Sequence, residues 1–303
     1  MIAERYKERT MRSALLSLAA LTACGWILRA AEPQPEPRAP VAGQPFDDRE
    51  IAGYLEKEGR QLLAKGKVKA LKAAARKCSI PLLSQRGDKT NLPQVAGTAE
   101  QATVVLGEFF KEKKSAEIQF SCAAGGFFVA ENGLLVTSLH VVGEKTSRGF
   151  VALTRDGRVF PVREVLAADP VDDLVVLQLD AADDVKFPTL PLSPNVAPIG
   201  TNVAVMSHPD EHYWMLTTGV VARNTLWRGE KGVEHYVCVT ADFAKGSSGC
   251  PILDDRGNVV AIVNNTQSVY YDDDGKKKQL DLQMVVKNAT PAWVARGLFE
   301  QAP

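Results

Sequence analysis

The chain carries no excess charge, since 36 Lys and Arg residues offset 36 Asp and Glu residues over 303 positions. A neutral chain has no electrostatic footprint for nucleic acid or another polyanion, so neither is expected as a partner. Its apolar leader, Ala14 to Leu28, falls short of the ~20 residues that span a bilayer comfortably. Metal-binding patterns are also missing. His208 and His212 stand four apart with Asp210 and Glu211 between them, but Pro209 opposes the helix that would align them and no third ligand is evident. Asp272-Asp273-Asp274-Gly275 lacks a calcium loop's downstream glutamate, because Gln283 takes that place. The first stretch therefore reads as a loop, the second as a hairpin tip, and no metal or cofactor is expected. Cysteine is sparse, with five in all. Apart from Cys24 in the leader, Cys78, Cys122, Cys238 and Cys250 allow three complete pairings in an oxidising compartment.

What is present divides into four parts. Residues 1–31 look like an export signal, with Lys7, Arg9 and Arg12 ahead of the apolar run. Cleavage near Ala30 or Ala31, acylation at the lipobox-like Leu21-Thr22-Ala23-Cys24, and retention as an uncleaved membrane anchor stay open. All three place the body outside the cytoplasm, periplasmic, secreted or lipid-anchored in the envelope. Residues 32–46 hold five prolines and read as an extended tether. Residues 47–97 read as a helical segment. Asp47 and Glu50 have capping-box spacing, Ile51, Tyr54 and Leu55 form an apolar stripe, and helix is expected to resume near Lys67 and stop before Pro81. Six basic residues from Lys65 to Lys77 form a solvated face or a membrane or partner contact.

From Thr103 the pattern changes to a dozen short apolar strands separated by turns such as Asp156-Gly157 and Asp255-Arg256-Gly257-Asn258. The fold class expected for residues 98–303 is all-β, two six-stranded antiparallel barrels divided near 183–198. A short helix follows, with Thr290 as its cap.

The stretch with the form of a nucleophile turn is Gly246-Ser247-Ser248-Gly249-Cys250-Pro251. A serine hydroxyl is a weak nucleophile and needs a tight turn, an adjacent base and N–H groups aimed at the developing oxyanion. Upstream, His140 ends the apolar run Val136 to Val142, and Asp173 directly precedes the strand Leu174 to Leu177. Asp172 is the alternative acid.

In these blocks the chain resembles the trypsin-like serine peptidases of the chymotrypsin fold, in particular the HtrA-type branch. The matching segments are G-G-F-F-V, G-L-L-V-T-S-L-H-V-V, the acid before L-V-V-L, and G-S-S-G-C-P-I-L-D-D-R-G-N-V-V-A-I-V-N-N. The resemblance implies Ser248 as nucleophile, His140 as base and acid, Asp173 as the residue that orients His140, and the N–H groups of Gly246 and Ser248 as oxyanion hole. Asp242, six residues before Ser248, is implied as a candidate substrate-binding carboxylate selecting Lys or Arg. Protein or peptide substrates are implied; no cofactor is, and oligomeric state is left open. Two departures stand out. Cys250 replaces a glycine, which is costly if that position needs a positive φ, and Val141 stands where animal relatives have a disulfide cysteine. No PDZ domain is expected after the peptidase blocks. The rival reading is an inactive or latent trypsin-like domain, a binding module of the envelope or a peptidase whose cleft is covered by Asp47 to Pro93.

Overall fold

The computed structural model describes residues 38–41, 44–71, 78, 82–111, 117–143, 149–273 and 279–299. The leader with Cys24, about half of the tether (32–37, 42 and 43), Lys72, Arg76, Lys77 and Asp274-Gly275 lie outside them. The described residues belong to a single compact unit, Pro37–Pro303.

Two closed barrels make up the body, with strand orders β1-β2-β3-β6-β5-β4 and β10-β11-β12-β9-β8-β7. The first is built from β1 (Thr103–Lys111), β2 (Ile118–Ala130), β3 (Leu134–Ser138), β4 (Gly149–Leu153), β5 (Val159–Asp169) and β6 (Leu174–Leu179). The second is built from β7 (Asn202–Ser207), β8 (Met215–Gly229), β9 (Gly232–Val239), β10 (Pro251–Leu253), β11 (Val259–Asp273) and β12 (Gln279–Pro291). Branched and aromatic side chains fill each interior: Leu106, Phe128, Leu135, Phe150, Val175 and Leu177 in one, Val203, Val221, Val237, Ile252 and Val263 in the other. Closing the sheets leaves no edge strand within either barrel.

The N-terminal helix α1 (Asp48–Ala64) is capped by Asp47, whose side chain accepts from the Arg49 N–H. It buries Ile51, Leu55 and Gly59 against the first barrel, where the lack of a side chain at Gly59 lets Phe109 and Val151 approach. Helix does not resume at Lys67. Residues 67–71 are irregular, because Val68 and Leu71 are drawn down onto the barrel beside Gly149 and leave Lys65, Lys67 and Lys69 in solvent. A helix not expected from the sequence, α2 (Leu92–Ala102), runs across the boundary drawn at 97 and leads directly into β1. Asn91 caps it and Pro93 sits in its first turn. The short turn α3 (Leu139–Val142) follows β3, and α4 (Ala292–Arg296) is the last helix among the described residues. The N-cap of α4 is Pro291; Thr290 is buried and turned elsewhere.

Candidate active site

Register in the first barrel sets the first half of the site. Ser138, the last residue of β3, pairs with Leu174, the first of β6, so the residues just beyond them meet at one end of the barrel. Those residues are His140 and Asp173. Three hydrogen bonds dock them: Leu139 N–H on the Asp173 carbonyl at 3.0 Å, His140 N–H on Asp173 Oδ1 at 2.8 Å, and His140 Nδ1 on Asp173 Oδ2 at 2.5 Å. Asp173 takes a left-handed φ of 56°, a conformation that aspartate tolerates better than most residues.

The second half comes from the loop between β9 and β10. Gly246 and Gly249 carry its left-handed angles, φ 93° and 80°. A Cβ at Gly246 would fall 2.5 Å from the His208 carbonyl oxygen, so no other residue fits that turn without moving backbone. The doubt raised by Cys250 is answered here: Cys250 takes no positive φ, and its sulfur occupies the space left by Gly125 on β2, where a Cβ would lie 2.2 Å away. Burial pushes the Cys250 thiol pKa up. Gly125 N–H donates to the Ser248 carbonyl at 3.0 Å and Ser138 Oγ to the Val263 carbonyl at 3.1 Å, which fixes one barrel against the other.

Ser248 Oγ then lies 2.9 Å from His140 Nε2. Its other neighbour, the Asn264 carbonyl, is 3.5 Å away, too long to compete for the hydroxyl proton. Within the same loop the N–H groups of Ser247, Gly249 and Cys250 donate to Ala244, Val263 and Ser247 carbonyls. Among the described residues no acceptor faces the N–H of Gly246 or of Ser248.

Three comparisons bear on this geometry. The family described as "Trypsin-like peptidase domain" matches residues 124–262, a span that holds all three side chains. The match covers just under half of the chain. The chain is 32% identical over 149 residues to a pro-apoptotic serine protease, NMA111, of Lodderomyces elongisporus, covering 46% of this chain and 15% of that protein. It is 27% identical over 148 residues to the uncharacterized protein y4bJ of Sinorhizobium fredii, covering 48% of this chain and 22% of the other. The chain thus spans less than a quarter of the length of these relatives. A solved structure, "HtrA-type protease AlgW with decapeptide", shares the fold with a TM-score of 0.51 and 17% identity, over 68% of this chain and 65% of that one.

Around His140 and Ser248 the structure separates residues that sequence left together. Asp172 is not the partner of His140. It reaches the second barrel, where Oδ1 accepts from the His235 backbone N–H at 2.7 Å and lies 3.1 Å from the His235 ring. Burial raises the Asp172 pKa, against the lowering effect of these His235 contacts. Thr290 Oγ1 donates to the Asp172 carbonyl and accepts from the Asn264 amide. None of His235, Thr290 and Asn264 carries a sequence signal for such a role.

Asp242 is placed outside the cavity beside Ser248. A cavity of about 350 Å³ beside Ser248 and His140 is lined by Phe243, Ala244, Lys245, Val263, Asn264 and their neighbours, without Asp242. The Asp242 side chain is 83% exposed and lies 3.4 Å from Lys287 Nζ, which itself donates to the Phe243 carbonyl at 2.6 Å. The described part of segment 47–93 lines neither this cavity nor the one on the other side of His140, so α1 does not cover the cleft. His208 is fully engaged in the core, Nε2 donating to the Val104 carbonyl and Nδ1 accepting from the Trp214 N–H. None of the four cysteines among the described residues is in a disulfide.

Proposed function

We propose that this chain is a serine-type endopeptidase that cleaves protein or peptide substrates through a Ser248 acyl-enzyme. The observation that carries the reading is the bridging position of His140, 2.5 Å from Asp173 Oδ2 through Nδ1 and 2.9 Å from Ser248 Oγ through Nε2. An imidazole held this way has one tautomer selected: Nδ1–H donates to the carboxylate and Nε2 is free to accept the serine proton.

In the proposed reaction Ser248 Oγ adds to the scissile carbonyl carbon while its proton passes to His140 Nε2. The resulting oxyanion is received by the N–H groups of Gly246 and Ser248, the two within residues 246–250 left without an internal acceptor. Collapse of the tetrahedral intermediate breaks the C–N bond, and His140 returns its proton to the leaving amine. Water repeats the sequence on the acyl-enzyme and frees Ser248. The imidazolium formed midway is stabilised by Asp173, which stays ionised.

Asp242 points outward and Phe243, Ala244 and Val263 line the cavity, which supports an uncharged aliphatic residue on the acyl side of the cut. Export by the leader is part of the same proposal, tested by fractionating cells that express the full chain.

The decisive test is intact-mass labelling with a fluorophosphonate. One adduct on the unmodified protein, absent in Ser248→Ala and His140→Ala, is the expected result. No adduct on the unmodified protein overturns the reading in favour of a binding module.

A further inference from the structure

Asp48, at the start of α1, touches Tyr213, 165 residues further on, in a loop that also reaches Gly246. Residues 208–214 join β7 to β8. Three of them, Asp210, Glu211 and Trp214, take left-handed φ angles of 48°, 64° and 51°. Left-handed backbone costs a residue with a side chain on the order of 1 kcal/mol or more, so a segment with three such residues does not hold its shape unaided.

Its support comes from outside. Asp48, the first residue of α1, accepts the Tyr213 N–H through Oδ1 at 3.0 Å. Phe46, just ahead of the helix, meets the Trp214 ring edge-on at 5.7 Å, and the Arg155 guanidinium stacks over both rings. Arg155 is tied in turn to Glu100 of α2. The Trp214 indole donates to the Thr103 carbonyl and its backbone N–H to His208 Nδ1.

The far side of the same loop reaches the site. Asp210 N–H donates to the Lys245 carbonyl at 2.7 Å, and the His208 carbonyl packs against Gly246. In a trans peptide the C=O and the following N–H point in opposite directions. Anchoring the Lys245 carbonyl on Asp210 therefore aims the Gly246 N–H the other way, as an oxyanion donor requires. A flip of this one peptide would remove the donor while leaving Ser248, His140 and Asp173 in place.

We propose that Phe46 and Asp48 are positioning residues for catalysis, which hold the 208–214 loop so that Asp210 fixes the Lys245–Gly246 peptide with its N–H toward the substrate. The segment ahead of the barrels is then a strut for the oxyanion hole. The inference rests on the peptidase reading above.

The test compares Asp48→Ala, Phe46→Ala, Asp48→Asn and Tyr54→Phe in the full chain. Tyr54 is a control, since its hydroxyl ties α1 to the Gly157 carbonyl without touching the loop. Three readouts are taken: the rate of fluorophosphonate labelling, kcat and KM on a fluorescein-labelled casein, and amide exchange of peptides covering 208–214. In Asp48→Ala and Phe46→Ala labelling slows about tenfold or more, toward the ~100-fold of a missing oxyanion donor. The loss falls on kcat with KM little changed, and 208–214 exchanges faster. Asp48→Asn keeps a carbonyl acceptor and stays within about twofold of the unmodified chain, as does Tyr54→Phe. If the unmodified chain labels and both alanine variants match it, the inference is overturned and the peptidase reading stands. Equal losses in Tyr54→Phe and Asp48→Ala overturn it too, since α1 then acts only through stability. An unmodified chain that never labels overturns both.

Discussion

Asp172 and Asp173 are adjacent in the chain and serve different barrels: Asp173 grips His140 at the end of the first, and Asp172 grips His235 on the second. Their removal is expected to differ accordingly. Asp173→Asn loses the acceptor that selects the His140 tautomer, and kcat falls about 10⁴-fold, the size typical of this change in a Ser-His-Asp triad. Asp172→Asn keeps a carbonyl for the His235 N–H and lowers kcat by less than about tenfold. Steady-state kinetics of the two variants on labelled casein separates the roles. Equal losses would assign both carboxylates to one function.

A second expectation concerns the cysteine in the nucleophile turn. Gly125→Ala places a methyl group 2.2 Å from Cys250 Sγ, and overpacking of this kind costs about 1–3 kcal/mol. Cys250→Gly alone leaves a small void. Combined, the alanine fills the space the sulfur vacates, so the double variant is more stable than the sum of the singles by about 1 kcal/mol or more. Urea unfolding of the four proteins closes the cycle, and strict additivity would mean that the two sites do not share that space.

Stability should also depend on pH through His208. Burial pushes its pKa down from 6.5 to about 4, so the unfolded chain takes up a proton on this ring over a range where the folded chain does not. The contribution is fully present above about pH 6.5 and is lost as pH falls toward 4, about 3 kcal/mol in all. Protonation would also turn Nδ1 from acceptor into donor against the Trp214 N–H. In His208→Gln the drop in urea midpoint between pH 7 and 4.5 is correspondingly smaller. An undiminished drop would place the acid sensitivity elsewhere.

Asp242 provides a test of selectivity. Asp242→Ala leaves kcat/KM within about threefold, because its carboxylate is solvated and outside the cavity. Peptides with Val or Ala before the cut are turned over faster than those with Lys or Arg. A preference for basic residues that vanishes in the variant would restore the original expectation.

The strands nearest the chemistry were the most legible in the sequence. Leu134–Ser138 and Leu174–Leu179 have the boundaries that their apolar runs suggest, since both are buried on either face and end at turn residues. Within β2, Ala123-Ala124-Gly125-Gly126 offers little apolar signal, yet the ladder with β1 runs through it with one bulge. Helix α2 was missed because its buried side are the small residues Val95, Ala99 and Ala102, although Asn91 and Pro93 marked its start. The hairpins β8–β9 and β11–β12 extend past the apolar runs that mark them, because strand pairing continues where side chains face solvent, as at Leu226, Trp227 and Met284. The grip of Asp172 on His235 spans 63 residues and leaves no local pattern at all.

His140 and Ser248 sit on separately closed sheets, joined near the site by bonds such as those from Gly125 to Ser248 and from Ser138 to Val263. Each barrel is stiff, so the compliant part of the molecule is the seam between them. A slip of about 1 Å along that seam would stretch the 2.9 Å His140 to Ser248 contact beyond hydrogen-bonding range while both barrels stayed intact. On warming, the chain should therefore stop turning over before it melts, and the gap between those two temperatures measures how firmly one barrel is seated on the other.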